Sequence, residues 1–312
     1  MRFIIVQVVV AYMREAGVGL AADRINPYYV CYFSVIVARI FVSDCYHFGF
    51  EIMPSKRCHK KTSIEPESVR PLAEMAGALL ADGMHDCAVN VMKGKIWQLA
   101  TDPAGTRVVQ IALQQMSREK VLSVLRELHG HVLEACWCFN ANYTLQRAIE
   151  VSPASGIDFV MVSLIGHEIQ VACHRVGCRI LCRILEHNAT QPTACAIVSN
   201  LLDNAPKLIC HRYGNYVMTS LLEHGSDIHR HILAMVFLGP QFIEDHVLGK
   251  KGQWAQGVAD AVLLHCAPSD KRELFAKLMV HEAVLVKTPA GRFLLKSLQR
   301  CSSQMFGEVD KG

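Results

Sequence analysis

An all-α solenoid of about six short helical repeats is the fold class this sequence predicts, and three observations predict it. A nine-residue pattern recurs as GTRVVQIAL at 105, ANYTLQRAI at 141, GCRILCRIL at 177 and GNYVMTSLL at 214. The residue after the leading small one is Thr106, Asn142, Cys178 and Asn215 in turn, spaced by 36, 36 and 37 residues. A fixed period in the thirties marks stacked helical units, none of which buries its apolar face alone. Between the copies lie further amphipathic segments, such as REKVLSVLREL and CAIVSNLLDNAPKLI, so each unit holds two or three short helices. Finally, 51% of the 312 residues are hydrophobic, enough for one long continuous core.

Taken in order, residues 1–53 stand outside the repeat. MRFIIVQVVVAYM joins one Arg to an apolar run and partly fits a secretory signal. YYVCYFSVIVARIFV is short for a membrane span and contains Arg39. A cleaved or membrane segment and an N-terminal extension with β-like stretches are the two alternatives. The second is adopted, with no role assigned and no membrane association expected. PSKRCHKKTSIEPE, at 54–67, is polar, charged and bounded by prolines, and reads as a linker. The repeat domain is expected over 68–312. Its opening stretch, 68–93, is amphipathic without the repeated pattern and suits an N-terminal cap; the repeats follow over 94–312. Two weaker copies complete the set. QGVADAVLL places Gly257 in the common register 42 residues on, and AGRFLLKSL places Gly291 another 34 on. LGPQFIED, inside the longer gap, suggests an altered turn between the fourth and fifth units.

Charge and cysteine usage narrow the function classes. A net charge of +4 leans mildly toward anionic partners and does not by itself indicate nucleic acid. Thirteen scattered cysteines do not form a disulfide framework and read as reduced thiols in a cytoplasmic protein, packed as small hydrophobes. No P-loop, G-x-S-x-G or H-E-x-x-H pattern is present, so the chain reads as a non-enzyme without a cofactor. His174, Cys178 and Cys182 are spaced by four, but three ligands on one straight helix seldom close a tetrahedral metal site. His211 holds the place of His174 in the next unit, which points to a structural role before each patterned helix.

The repeated helix carries an unusual polar face. Its first, second and fifth positions are Thr106, Arg107 and Gln110; Asn142, Tyr143 and Gln146; Cys178, Arg179 and Cys182; Asn215, Tyr216 and Thr219. The second position alternates Arg, Tyr, Arg, Tyr, and both side chains offer a flat surface for a base. The first and fifth lie one turn apart and are expected to meet the edge of one planar ligand together. Arg147, Arg183, Lys207 and Arg212 near these helices suit either phosphate contact or ordinary solvation.

These residues resemble the Pumilio (PUF) family of RNA-binding repeat proteins, whose signature helix reads like GNYVxQxxLExG. GNYVMTSLLEHG, NANYTLQRAIE and GCRILCRILEH are similar to it, and GKIWQLATDPAGTRVVQ is similar to the family's first repeat. The resemblance implies a right-handed superhelical solenoid of ~36-residue Pumilio-type repeats, each reading one base of single-stranded RNA. It implies a uracil reader in Asn142 and Gln146 around Tyr143, and an adenine reader in Thr106 and Gln110. Cys178 keeps an adenine-type residue while Cys182 loses the usual amide, and Asn215 with Thr219 keeps half of a uracil reader. With the antiparallel strand the resemblance implies, the four units favour an A/U-rich element near 5′-UAUA-3′. Gly257, Val258 and Ala261, and likewise Gly291 and Leu295, are expected to be mute, with Arg292 left to stack or touch phosphate. The partners implied are mRNA 3′ untranslated regions and proteins on the convex face, bound by a monomer that regulates transcripts after transcription. A protein scaffold of the armadillo or HEAT kind, and a shape-based binder of structured RNA, are the rival functions.

Overall fold

The structure is a computed structural model that describes residues 69–189, 191–249 and 252–306. The extension and linker expected over 1–67 lie outside the described residues, among which no helix is long and apolar enough to cross a membrane. No strand occurs among the described residues.

Helices α1 (Val69–Ala81) and α2 (His85–Met92) precede six units. Unit one holds α3 (Ile96–Thr101), α4 (Gly105–Gln115) and α5 (Arg118–Arg126). Unit two holds α6 (Val132–Trp137), α7 (Ala141–Val151) and α8 (Asp158–Leu164). Unit three holds α9 (Glu168–Ala172), α10 (Cys178–Asn188) and α11 (Pro192–Asp203), and unit four α12 (Ala205–Ile209), α13 (Gly214–His224) and α14 (Asp227–Leu238). In unit five a π-helical turn, Ile243–Val247, replaces the short first helix before α15 (Gln253–His265) and α16 (Pro268–Met279). Unit six holds α17 (Glu282–Leu285) and α18 (Pro289–Phe306). The altered turn expected at LGPQFIED is this π turn.

The middle helices form a ladder, α4 on α7, then α10, α13, α15 and α18, with α1 packed on α4. Their sequences dictate it, because apolar residues recur three and four apart. Ile180, Leu181, Ile184 and Leu185 of α10, and Val217, Met218, Leu221 and Leu222 of α13, are all buried. Each such side chain contributes about 1.5–3 kcal/mol when removed from water, and in a stacked repeat part of that burial is against the neighbouring units.

The period recurs in the junctions. Gly94, Gly130 and Gly166 stand just before the first helices of units one, two and three at φ of 73°, 82° and 85°, a left-handed conformation that favours glycine. A second device opens α4, α10 and α13. Asp102 Oδ1 accepts from Gly105 N at 2.7 Å, and the ring Nδ1 of His174 and of His211 accepts from Gly177 N and Gly214 N, both at 3.2 Å. The glycines are needed for close approach: a Cβ on Gly105 or Gly214 would lie 2.5 or 2.9 Å from the carbonyl oxygen of Leu99 or Leu208.

Both imidazoles work as acceptors and are therefore neutral. Burial holds His174 below the usual histidine range, partly offset by a backbone hydrogen bond with Cys136. Burial, and then the charge of Lys207, does the same at His211. A base whose folded pKa is depressed leaves the unfolded chain binding more protons, so the stabilisation is complete above pH ~6.5 and falls as the solution is acidified below it. Thermal melts should therefore show the midpoint dropping between pH 7.5 and 5.5. His211→Asp, which copies Asp102, should flatten that dependence; an unchanged slope would remove His211 from the account.

Candidate nucleic-acid interface

Packing on both sides leaves each middle helix one free strip. In α13, apart from the terminal His224, the residues outside the core are Tyr216, Thr219 and Glu223, spaced as one helical face. The second positions Arg107, Tyr143, Arg179 and Tyr216 are all exposed, with Tyr143 at 44% and Tyr216 at 59%, large values for aromatic rings. They make one row: Arg179 Nη1 donates to the Tyr143 hydroxyl at 3.4 Å, across units three and two. Neighbouring helices are joined beneath it. Thr106 Oγ1 and Thr144 Oγ1 lie 3.1 Å apart, Ser220 Oγ donates to Cys182 O at 3.4 Å, and Cys182 Sγ to Tyr216 O at 3.7 Å.

First positions sit deeper than their expected role of touching a ligand edge. Thr106, Asn142, Cys178 and Asn215 are 4%, 0%, 4% and 8% exposed. The amide of Asn142 donates to the carbonyls of Cys138 and Phe139 at 2.7 and 2.8 Å, and that of Asn215 to His211 and Arg212 at 2.7 and 3.0 Å. Thr106 Oγ1 donates to Asn140 O at 3.0 Å, and Cys178 Sγ to Arg175 O at 3.8 Å. The side chains that helix geometry expects to share an edge are thus layered, one locking the other. Gln146 Nε2 donates to Asn142 Oδ1 at 2.9 Å, and Gln110 Nε2 donates to Thr106 O and Oγ1 at 3.0 and 3.3 Å. Gln110, Gln146, Cys182 and Thr219 are half-buried on the free strip. Burial raises the Cys182 thiol to about 12, so it is neutral, and the Cys178 thiol is also raised by burial.

Of the candidate phosphate contacts, two are already paired. Arg147 meets Glu150 at 2.7 Å, while Arg183 meets Glu150 at 3.7 Å and also pairs with Glu186. Arg212 lies over the Tyr213 ring at 5.3 Å, and Lys207 is exposed. Sequence reasoning missed Phe139, which is 58% exposed and carries Arg175 over its ring at 5.1 Å. Its signal was an aromatic three residues before a first position, with arginines at the matching places in the next two units.

The last two units are corrected in register. Val258 is 0% and Ala261 4% exposed, so they belong to the core and not to the free strip. From Ala255 the pattern of buried and free residues in α15 follows that of α13 from Gly214. Gln256 therefore takes the first position, Gly257 the second and Asp260 the fifth. The small residue before Val258 had drawn the alignment one place too far. In unit six Gly291 is the junction glycine, its N–H donating to Thr288 Oγ1 at 3.0 Å as Gly214 does to His211. Arg292 is then first, Phe293 second and Lys296 fifth, while Leu295 is buried. Arg292 is exposed with Nη1 on Val286 O at 3.0 Å, and Phe293, 56% exposed, takes the stacking place that Arg292 had been given.

No group of three or more His, Cys, Asp or Glu side chains is gathered for a metal ion among the described residues. Comparison with known proteins places this geometry. The model of the Pumilio-family RNA binding repeat matches residues 95–129, 167–201 and 204–236, which lie in units one, three and four. The Puf3 RNA-binding domain bound to a Cox17 RNA 3′ UTR recognition sequence is similar at 22% identity, over 76% of this chain and 74% of that chain, with a TM-score of 0.66. The Puf4 RNA-binding domain bound to an HO endonuclease RNA 3′ UTR sequence follows at 18% identity, 75% and 74% coverage, and 0.62. The yeast Puf5p domain bound to MFA2 RNA gives 17%, 65% and 56%, and 0.54. At these identities the likeness to the solved structures is one of fold.

The corrected register has opposite consequences at adjacent residues. A Cβ on Gly257 meets nothing within 4 Å, so Gly257→Ala should stabilise the fold by about 1 kcal/mol through helix propensity. Val258→Ala should cost about 2 kcal/mol through lost packing. Denaturant titration of both variants checks this, and the reverse order would restore the first alignment.

Proposed function

Because three units match the Pumilio-family RNA binding repeat, we propose that the chain binds single-stranded RNA along the ladder of middle helices, one nucleotide to a unit. The observation that carries this reading is the exposed Arg107, Tyr143, Arg179, Tyr216 row, already linked at neighbour spacing through Arg179 and Tyr143. Bases stack between successive members of the row, and the half-buried fifth positions meet their edges. With Nε2 of Gln110 and Gln146 held from below, the outward group of each amide is the acceptor Oε1, aimed at a base N–H. First positions act by fixing that orientation. The preferred element is A/U-rich and near UAUA. The 3′ UTR sequences bound by the Puf3 and Puf4 domains support mRNA 3′ untranslated regions as the target class, with regulation after transcription as the outcome.

Magnitudes bound the affinity. Stacking contributes about 1–3 kcal/mol per base, so four bases supply about 4–12 kcal/mol before the strand is ordered. A second reading, a scaffold for proteins, is favoured by Ile228, Ile232 and Met235, which are 56%, 39% and 49% exposed along one face of α14.

Fluorescence polarisation with a UAUA-containing and a scrambled oligonucleotide separates the two readings. Tighter binding of the first is expected, with Tyr143→Ala weakening it by about tenfold or more; equal binding of both would sink base readout. A second expectation is that Asn142→Ser with Gln146→Glu moves preference from uracil toward guanine at one position. Selection from an RNA pool reads this directly, and unchanged preference in a folded variant would overturn the assignment of one base to unit two.

A further inference from the structure

One turn beyond the fifth position of each middle helix lies a ninth, on the same side as the first and fifth. It is Gln114, Glu150, Glu186, Glu223 and Leu264 in units one to five. In these five units no cation stands at the first, fifth or ninth position. Unit six fills all three with cations, Arg292, Lys296 and Arg300, spaced by four along one face of α18. All three are exposed. The two arginines bond only neutral groups: Arg292 Nη1 donates to Val286 O at 3.0 Å, Arg300 Nε to Lys296 O at 3.4 Å and Arg300 Nη2 to Ser297 Oγ at 3.0 Å. None of the three is in an ion pair among the described residues, whereas Arg147 and Arg183 meet Glu150 and Glu186. Asp260, at the fifth position of the adjoining unit, is half-buried and does not pair with them. Like charges one turn apart repel along a helix, so the stripe is unfavourable until an anion meets it. Phe293, 56% exposed, follows Arg292.

We propose that α18 anchors the RNA backbone: Arg292, Lys296 and Arg300 hold phosphates of the strand on the 5′ side of the four-base element, whatever the sequence there. This rests on RNA binding along the same ladder, with the antiparallel strand placing unit six 5′ of units four to one. Lys and Arg carry donors and no acceptor, and phosphate oxygens only accept, so the bonds are charge-assisted and independent of the base. Phe293 stacks one base of any type, because every base has a π-face. The stripe covers about 12 Å along the axis of α18. It runs across the direction of the ladder, so the backbone turns along the helix there. Unit six thus adds affinity and salt dependence without lengthening the sequence that is read.

The test is fluorescence polarisation of the full chain with a UAUA-containing RNA extended by four nucleotides at its 5′ or its 3′ end. The 5′ extension should tighten binding by about tenfold or more and the 3′ extension by about twofold at most. Changing the bases of the 5′ extension should alter affinity by less than about twofold, while neutral methylphosphonate linkages in it should abolish most of the gain. Arg292→Gln with Lys296→Gln and Arg300→Gln should make the plot of log affinity against log salt shallower by about 2, at about 0.7 per phosphate. Between 50 and 200 mM salt the wild-type chain should therefore lose about twentyfold more affinity than this variant. A 5′ gain that follows base identity, or survives methylphosphonate, overturns the anchor while leaving RNA binding intact, as does an unchanged salt slope in the folded variant. Preference of the wild-type stripe for a poly-glutamate peptide over the extended RNA assigns it to an acidic protein and equally overturns it. Failure to bind any UAUA RNA sinks the RNA reading and this site with it. If the triple variant does not fold, the methylphosphonate comparison on the wild-type chain decides.

Discussion

Everything on the proposed reading face depends on the packing of each middle helix against two neighbours. The ladder takes up the apolar faces of α7, α10, α13 and α15, leaving a strip centred on residues at i, i+3 and i+7. On α13 these are Tyr216, Thr219 and Glu223. The chemistry available to a unit is therefore set by two or three side chains, and any ligand must be built from modules repeating at the helix spacing. A linear polymer with a planar group in each module meets that constraint, whereas a compact small molecule meets only one unit of it.

The same constraint explains the division of labour between the first and fifth positions. A first-position side chain points into the seam, where an unpaired amide would be costly, so Asn142 and Asn215 spend their N–H groups on carbonyls of the preceding turn. What remains of Asn142 is one acceptor, and it fixes Gln146. On the proposed RNA reading, specificity is a property of a pair, with the buried member choosing which end of the outer amide faces solvent. Unit three departs from it, because the Cys182 thiol is turned to Tyr216 O and so joins two units in place of presenting a polar edge.

Much of this was legible in the residues. The period, the two or three helices per unit and the alternating Arg and Tyr of the second position follow from spacing and side-chain type alone. The structural role of His174 and His211 was legible from their equivalent places, although Asp102 and Thr288 doing the same work was not, since a carboxylate, a hydroxyl and an imidazole share only their acceptor atom. The depth of the first positions was hidden because helical periodicity fixes direction around an axis and not the closeness of the next helix. The junction glycines at 94, 130 and 166 repeat every 36 residues, but residue type alone does not show that each holds a left-handed backbone.

Unit five was misread for a reason that also accounts for its survival as a folded unit. Its middle helix runs for 13 residues where α13 runs for 11. Gly252 keeps the junction contact, with a Cβ there lying 2.0 Å from Val247 O. The first-position residue then comes at Gln256, four residues after the junction glycine, whereas Asn215 directly follows Gly214. Three added residues turn a helix through roughly 300°, close to a full revolution. The apolar face therefore returns nearly in phase and the ladder continues into α18. Entry to the helix and identity of the reading residue are thereby uncoupled. The fold fixes the phase of the helix, and the pair at 256 and 260 lacks the internal donor found in units one and two.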